Sequence, residues 1–243
     1  MIGRAWIGTS GWAYRHWRGV LYPEEVPSNQ WFSYYAREFD TVELNNTFYH
    51  LPRPATVQRW HDLAPPDFRF AVKASRLITH QRRLRDCAEP LQTFFGAITP
   101  LGKHLGPVLY QLPPGLHADL ERLQAFAALL PAGHLHVFEF RHRSWFTKAI
   151  HNFLLEHELI FCIHDWSRLE VPHWATGPAV YVRFHGTTGR YAGGYDEATL
   201  REWAERIHRW MDEGRDVYVY FNNDIGGHAV QNARTLKSLL ASG

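Results

Sequence analysis

Short hydrophobic segments of this sequence contain charged side chains at alternate positions. The segment "DTVEL" places Glu43 between Val42 and Leu44, and "HVFEF" places Glu139 between two phenylalanines. A charge in such a segment requires a partner, because burial of an unpaired charge costs several kcal/mol. The ionisable residues that share this setting are Glu43, Lys73, Glu139, Arg141, Arg183 and His185.

These residue types support proton transfer and the binding of anions. A carboxylate buried beside other carboxylates can have its pKa tuned toward neutrality, so we assign Glu43 or Glu139 as the general acid or base. Lys73 and His185 are assigned to the stabilisation of developing negative charge. The two arginines of the set are assigned to substrate binding, because a guanidinium group matches an oxyanion bidentately.

Eight segments rich in β-branched and aromatic residues predict eight strands, and segments with helical spacing separate most of them. The clearest helix begins after Asp196 as N-cap and ends near Gly214. Alternating strands and helices pair in parallel, so the pattern favours one α/β domain over residues 1–243, a (β/α)8 TIM-type barrel. An open doubly wound sheet is the alternative, which the absence of a G-x-G-x-x-G turn after the first strand disfavours. The predicted strands lie near residues 5, 40, 68, 107, 135, 159, 179 and 217.

The connection between strands six and seven is shorter than the others. It has about fourteen residues, including Pro172 and Pro178, which is too few for a full crossover helix with its loops. We therefore predict a loop or a single turn at this point of the barrel.

In a barrel, alternate strand residues face the lumen, and those at the carboxyl ends open onto the active-site face. This parity turns Val42 and Leu44 outward and Glu43 inward, and it predicts that the six ionisable residues form one cluster at one mouth. Cations slightly outnumber carboxylates in this set, so an anionic ligand would balance the charge. Further polar residues at equivalent strand ends are Asn45, Gln111, Asp165 and Asn222.

Two glycine-rich loops follow the last two strands, "HGTTGRYAGGYDE" from residue 185 and "NNDIGGHA" from residue 222. Loops at these positions frequently form the phosphate site of barrel enzymes, because glycine lets backbone N–H groups approach oxygen closely. Arg190 adds positive charge there. Simple tight turns are the alternative. The residues of these loops that we assign to substrate binding are Gly186, Gly194, Asn222 and Asn223.

The loop after strand one, "TSGWAYRHWRGVLYP", interleaves aromatic residues with arginine and histidine. This pattern is typical of a surface on which bases or sugars stack. We assign Trp12 and Tyr14 to substrate binding on this ground, together with Asn45 and Gln111 at nearby strand ends. The alternative is a hydrophobic lid, which also contains Trp17 and packs on the barrel rim.

Several long motifs resemble the YecE-like family, also called domain of unknown function 72 (DUF72). They are "IGTSGWAYRHWRG", "YYAREFDTVELNNTFYHLP", "FRFAVKASRLITH", "LGPVLYQLPP", "EFRHRSW", "YVRFHGTTGRYAGGY" and "DVYVYFNNDIGGHA". The resemblance runs nearly from end to end and implies a TIM-type barrel. It implies no particular activity, so the chemistry rests on the residues themselves.

Three classes of function fit these residues. The leading hypothesis is a hydrolase, lyase or isomerase that acts on an anionic, phosphorylated or nucleotide-like substrate. The first alternative is a divalent-metal enzyme of xylose-isomerase-like type, disfavoured because neighbouring lysine and arginine compete with a cation. The second is a non-catalytic protein that binds single-stranded nucleic acid. We find no motif for an organic cofactor. The metal ligands under the first alternative are Glu43, Glu139, Asp165 and His185.

The composition limits the partners and the compartment. A net charge of +2 gives no field that attracts polyanions over the whole surface. Cys87 and Cys162 are far apart and lack metal-ligand spacing, which predicts two buried thiols in a reducing cytoplasm. The N-terminal segment has no apolar signal region, and no segment is long enough for a membrane helix, so we expect a cytoplasmic protein with no membrane partner.

Overall fold

The chain forms a closed barrel of parallel strands. The computed structural model describes residues 2–166, 169–189 and 191–242. Each strand pairs with the next along the chain, and the first pairs with the eighth, so that Ala5 lies opposite Val217 and Thr9 opposite Phe221. The predicted (β/α)8 barrel is confirmed. The open doubly wound alternative is wrong, because the pairing of the first strand with the eighth closes the sheet.

All eight predicted strands are present. Their residues alternate between the barrel interior and the helical layer, as the period of two requires. Arg141 and His185 lie just beyond the ends of their strands. The strands are β1 (Ala5–Ser10), β2 (Thr41–Leu44), β3 (Arg69–Lys73), β4 (Leu105–Gln111), β5 (His136–Glu139), β6 (Ile160–His164), β7 (Ala179–Phe184) and β8 (Asp216–Phe221).

Seven α-helices surround the barrel in the described ranges. The predicted helix after strand seven begins as expected, because the Asp196 side chain accepts a hydrogen bond of 2.8 Å from the Thr199 N–H. It is followed by Gly214, whose φ of 83° is the left-handed conformation that ends helices. The helices are α1 (Trp31–Glu38), α2 (Pro54–Leu63), α3 (Ala88–Ile98), α4 (Leu120–Ala127), α5 (Lys148–Glu156), α6 (Glu197–Asp212) and α7 (His228–Ala241).

The connection between β6 and β7 contains no α-helix at its described positions, 165–166 and 169–178. Thr176 fastens this segment to β6: its hydroxyl accepts a hydrogen bond of 3.0 Å from the Phe161 N–H and donates one of 2.6 Å to the Leu159 carbonyl. Trp174 packs against Phe161 with ring centroids 5.0 Å apart. The predicted short crossover is confirmed, and its described residues pack against β6 without forming an α-helix.

Two apolar clusters stabilise the fold, one inside the barrel and one between the strands and the helices. Val42 and Phe138 belong to the outer cluster, as parity predicted. The side chains of the inner cluster fill the barrel interior, as in other small barrels. Its buried members are Trp6, Ala71, Leu109, Val137, Ile160, Cys162, Ala179, Tyr181, Tyr218 and Tyr220.

Cys87 and Cys162 are both free thiols and both buried, as predicted. Burial raises the pKa of each thiol above its ordinary value, to about 11 for Cys87, which keeps the reactive thiolate scarce. Along the described ranges, no helix combines the length and the apolar character needed to cross a bilayer.

Candidate functional site

The carboxyl-end mouth of the barrel contains a buried ionic network centred on Arg183. Its Nη2 donates a hydrogen bond of 2.8 Å to Glu43 Oε1, and its Nη1 donates one of 2.5 Å to Glu139 Oε2. The Arg183 side chain is 1% exposed and both carboxylates are fully buried. Ser10 and Tyr181 each donate a hydrogen bond of 2.6 Å to Glu43. Each charge of this network is therefore paired, as its burial requires.

Arg141 and His185 extend the network toward the surface. Arg141 Nε donates to the second oxygen of Glu139, and its Nη2 lies 3.2 Å from His185 Nε2. Arg183 Nη1 lies 3.3 Å from the same ring nitrogen. Because both guanidinium groups are donors only, His185 Nε2 must be the acceptor. The imidazole is therefore neutral and carries its proton on Nδ1.

Asp165 fixes the orientation of this imidazole. Its Oδ1 accepts a hydrogen bond of 2.7 Å from the backbone N–H of His185 and lies 3.2 Å from Nδ1. Its Oδ2 accepts from the Tyr195 hydroxyl. Burial, followed by the positive charge of Arg183, lowers the pKa of His185 to about 4, although Asp165 opposes this shift. An imidazole that is neutral with Nε2 as acceptor does not stabilise negative charge at that atom. The catalytic role assigned to His185 stays a prediction.

The two glutamates are also unsuited to the role assigned to them. Burial raises the pKa of each, but the positive charges outweigh it: Arg183 lowers the pKa of Glu43 below its usual range, and Arg141 with Arg183 lowers that of Glu139 far below it. A general acid or base at neutral pH requires a pKa near the working pH. Glu43 and Glu139 remain ionised, and their tuning toward neutral pKa is a prediction that the geometry contradicts.

Lys73 differs from the other members of the cluster. It ends β3 and is partly exposed, and its Nζ lies 4.4 Å from the centre of the Phe48 ring. With the described residues, Nζ forms neither a hydrogen bond nor an ion pair. Burial, followed by the charge of Arg183, lowers the pKa of Lys73 to about 7, because Glu139 and Glu43 compensate these effects only in part. Lys73 therefore changes its charge near neutral pH.

The charge balance at the mouth differs from the prediction of surplus positive charge. Arg141 and Arg183 are compensated by Glu43 and Glu139 in direct ion pairs. Asp165 adds a third carboxylate within hydrogen-bonding distance of His185. Of the described cations in the predicted cluster, Lys73 is therefore the one without a direct ion pair.

Three predicted polar residues at strand ends have different settings. Gln111 is buried, and its amide Nε2 donates a hydrogen bond of 2.8 Å to the Leu112 carbonyl. Asn222 is 8% exposed, and its side chain forms no hydrogen bond with the described part of the chain. Asn223 joins the two glycine-rich loops, because its Nδ2 donates to the Gly193 carbonyl at 2.9 Å and to Asn232 at 3.0 Å. Asn222 is thus available to a ligand, whereas Asn223 is structural.

The glycine-rich loops use some of their N–H groups internally. The Gly186 N–H donates to the Tyr195 hydroxyl at 2.7 Å, and the Gly227 N–H donates to the Asp224 carbonyl at 3.0 Å. Gly186 has a φ of 106°, and a Cβ atom there would lie 2.2 Å from the Ala192 carbonyl oxygen. The assignment of Gly186 to substrate binding is therefore corrected: it forms a turn. The assignment of Gly194 stays a prediction, and Arg190 lies outside the described residues.

The aromatic residues after β1 divide into two groups. Trp17 and Tyr22 are buried in the core, as the lid alternative predicted, so they are not part of a stacking surface. Trp12 and Tyr14 are partly exposed and line a pocket of about 310 Å³. Asn45 lines the same pocket. Three residues that were assigned to substrate binding separately therefore meet in one cavity beside the mouth.

The metal alternative loses its ligand set in this arrangement. Among the residues that the structure describes, no three histidine, cysteine, aspartate or glutamate side chains form a group suited to a metal ion. The oxygens of Glu43 and Glu139 already accept hydrogen bonds from arginine. Asp165 and His185 bond to each other.

Four residues that contact the cluster were not predicted. Tyr181 shares the inward parity of Arg183, two residues away, and this signal was present in the sequence. Ser10 ends β1 and was equally accessible to the parity argument. Phe48 and His80, whose rings are 4.9 Å apart, come from a short 3-10 helix after β2 and a π-helix after β3, so no strand or α-helix periodicity indicated them.

The family model for the protein of unknown function DUF72 matches residues 6–243. The chain belongs to the DUF72 family. The UPF0759 protein YunF of Bacillus subtilis (strain 168) is 28% identical, over 97% of this chain and 94% of its own length. The UPF0759 protein YecE of Escherichia coli (strain K12) is 34% identical over 147 residues, which are 59% of this chain and 51% of YecE. The resemblance to the YecE-like family is confirmed.

Solved structures of other DUF72 members have the same fold. A DUF72 family protein from Thermotoga maritima has a TM-score of 0.90 and 30% identity, with 98% of this chain and 99% of that one covered. A DUF72 family protein from Enterococcus faecalis V583 has a TM-score of 0.85 and 21% identity, with coverages of 98% and 95%. The barrel is therefore the common architecture of this chain and these DUF72 proteins.

Proposed function

We propose that this protein is an enzyme that acts on an anionic, phosphorylated or nucleotide-like substrate at the carboxyl-end mouth of the barrel. Lys73 and Arg141 contact the anionic group, and Lys73 exchanges a proton with the substrate. Hydrolysis, elimination and isomerisation all require such a transfer.

The observation that carries the proposal is the layered arrangement of charge. Glu43, Glu139 and Arg183 are buried and compensate one another. Above them lie Lys73, which is partly exposed, and Arg141, whose side chain is 6% exposed and is held 4.0 Å over the Trp166 ring. An entering ligand meets Lys73, which has no ion pair, beside Arg141, which Glu139 holds in place. Such preorganised charges stabilise anions without reorganisation at the moment of reaction.

The chemistry of Lys73 supports an acid–base role. An amine with a pKa of about 7 is present in both protonation states at neutral pH. Its neutral form removes a proton, and its ammonium form returns one or stabilises developing negative charge. In this proposal Lys73 takes the acid–base role that the sequence analysis assigned to Glu43 or Glu139, in addition to the stabilisation of negative charge that was assigned to Lys73 itself.

The test begins with inorganic phosphate as a probe, titrated by calorimetry at constant pH. We expect Lys73→Met to weaken phosphate binding about tenfold or more, because hydrogen bonds to charged groups contribute about 1.5–3 kcal/mol. Arg141→Lys should also weaken it, since the bidentate geometry is lost. Lys103→Met, in an exposed position, is the matched control. Equal phosphate affinity in all four proteins would overturn the anion site.

Turnover is tested with a panel of phosphate esters and nucleotides followed by phosphorus NMR. Product formation by the wild-type protein and its loss in Lys73→Met would support the enzyme. The same proteins are titrated with an oligothymidylate. Binding of this oligonucleotide that falls steeply with salt and persists in Lys73→Met, without turnover of any ester, would instead support the nucleic-acid alternative.

A further inference from the structure

The pocket beside the charged cluster has aromatic walls in a fixed arrangement. It has a volume of about 310 Å³, at the lower end of the range of about 300–1,000 Å³ that is usual for small-molecule sites. Trp12 packs edge-on against Trp60 and Phe32, with ring centroids 5.7 Å and 5.2 Å apart. The remaining lining residues are Gly11, Ala13, Tyr14, Leu44, Asn45 and Asn46.

Tyr14 is held in place at the rim of this pocket. Its hydroxyl donates a hydrogen bond of 2.5 Å to the Ser10 carbonyl, and its ring lies 4.7 Å from that of Trp17. The phenol is therefore not free to rotate into the cavity or away from it. A flat ligand would find its apolar contacts already in position, which lowers the entropic cost of binding.

Asn45 supplies the unsatisfied polar group of the pocket. Its Oδ1 is buried and has no hydrogen-bond partner, and its Nδ2 likewise bonds to nothing in the described ranges. The backbone of Asn45 is fixed, because its carbonyl accepts a hydrogen bond of 3.2 Å from the Phe48 N–H. Asn45 is partly exposed, but a buried carbonyl oxygen without a hydrogen-bond partner is costly unless a ligand satisfies it. This amide offers one acceptor and one donor side by side.

The pocket and the charged cluster are connected through β1 and β2. Ser10 accepts from Tyr14 through its carbonyl and donates to Glu43 through its hydroxyl. Asn45 follows Glu43 by two positions, at the same end of β2. One ligand molecule of modest size therefore has an apolar, amide-containing subsite next to a cationic one.

We propose that this pocket binds the base of a nucleotide-like substrate, a flat heterocycle that carries an N–H donor next to a ring-nitrogen acceptor, as adenine and cytosine do. The aromatic walls contact the faces and edge of the ring, and the Asn45 amide pairs with its donor and acceptor, which is the pairing that asparagine makes with adenine. The inference names the substrate class of the proposed function and rests on it.

Adenosine is the probe, because it has a base and no phosphate. Its affinity is measured by calorimetry against wild type, Asn45→Leu and Asn152→Leu, the last a control on the exposed face of α5. We expect Asn45→Leu to weaken adenosine binding about tenfold or more and Asn152→Leu to have no effect. Adenosine whose exocyclic amine is dimethylated lacks the N–H donor and should bind wild type as weakly as adenosine binds Asn45→Leu.

A second variant, Ala13→Phe, tests the pocket independently of the folding of Asn45→Leu. Ala13 is exposed at the pocket, so Ala13→Phe blocks the cavity without a change in the core. It should abolish adenosine binding and leave phosphate binding at Lys73 intact. Equal affinity of adenosine for wild type, Asn45→Leu and Ala13→Phe would overturn the base site.

The two proposals fail in distinguishable ways. Adenosine binding that depends on Asn45, together with phosphate affinity that Lys73→Met leaves unchanged, would overturn the proposed anion site alone. Phosphate binding that depends on Lys73, with no measurable binding of adenosine, would overturn the base site alone. Lys73→Met should leave adenosine affinity within about twofold of wild type, since adenosine carries no charge.

Discussion

Arg183 Nη1 and Glu139 Oε2 lie 2.5 Å apart inside the barrel, where neither side chain is more than 1% exposed. Arg183 also bonds to Glu43 through its other terminal nitrogen, so one guanidinium compensates two carboxylates. This pairing places Arg183 at the buried end of the site, inside the barrel. Both terminal nitrogens of Arg183 donate to these buried carboxylates, and its assignment to substrate binding stays a prediction.

Loss of Arg183 should therefore reduce stability sharply. We expect Arg183→Met to lower the free energy of unfolding by about 3–5 kcal/mol, because it leaves the buried Glu43 without its arginine and Glu139 with Arg141 alone. The measurement is urea denaturation at neutral pH. The control is Arg201→Met, which removes an exposed ion pair with Glu197 and should cost less than about 1 kcal/mol. Similar losses in the two variants would contradict the buried network.

Stability should fall as the pH is lowered from about 6.5 to about 4, the window set by His185. Its pKa is lower in the folded protein than in the unfolded chain, so the unfolded chain binds more protons in this window and acid favours unfolding. The full loss of unfolding free energy that protonation of His185 causes is about 3 kcal/mol. His80, whose pKa is also lowered to about 4 by burial and by Lys73, acts in the same direction.

Urea denaturation at several pH values checks this prediction. In His185→Gln, the amide can still accept from the arginines and donate to Asp165, and it does not titrate. We expect its stability to depend less on pH between about 4 and 6.5 than that of wild type. His50→Gln, at an exposed position, should leave the dependence unchanged. An unchanged profile in His185→Gln would show that another group causes the acid sensitivity.

Anion binding should weaken as Lys73 loses its proton. With a pKa of about 7, sulfate affinity should fall about tenfold between one pH unit below this value and one unit above it. Sulfate is the probe because its own charge is constant in this range. Lys73→Met should bind sulfate weakly with little dependence on pH. A sulfate affinity of wild type that does not change across this range would contradict the assignment of the titrating cation.

The stability of the short connection between β6 and β7 should depend on the Thr176 hydroxyl. Thr176→Val keeps the shape of the side chain and removes the hydroxyl that bonds to the Phe161 N–H and the Leu159 carbonyl. We expect a loss of about 1–3 kcal/mol in the free energy of unfolding, because the buried N–H group loses its acceptor. Thr235→Val provides the comparison, since the Thr235 hydroxyl bonds within its own helix at the surface. A change in Thr176→Val no larger than that of Thr235→Val would contradict the role of this contact.

The sequence predicted the fold and the location of the cluster because both follow from periodicity. Alternation in "DTVEL" and "AVYVRF" assigned Glu43 and Arg183 to the interior, and closure of the barrel left them one common end. The predicted convergence of Glu43, Glu139, Arg141, Arg183 and His185 is confirmed by their direct contacts.

The roles of these residues could not be predicted in the same way. Whether a carboxylate has a pKa near neutrality or stays fully ionised depends on which arginine nitrogen lies beside which carboxylate oxygen. The inward or outward parity of strand residues does not specify this pairing. The neutral state of His185 follows from two guanidinium groups that meet at one ring nitrogen. The setting of Lys73 depends on Phe48 and His80, which come from a short 3-10 helix and a π-helix. Local backbone geometry, rather than residue spacing, determines these features.

The ionic network also has a consequence for the kinetics of folding. Its hydrogen bonds join residues that are 44, 138 and 140 positions apart, from Glu139 to Arg183, Glu43 to Tyr181 and Glu43 to Arg183. Each of them requires two strands that are distant in the sequence to be in place, so we expect these bonds to form late in folding. Contacts that are absent from the transition state retard unfolding without accelerating folding. The buried hydrogen bonds of Glu43, Glu139 and Arg183 should therefore slow unfolding and lengthen the lifetime of the folded barrel.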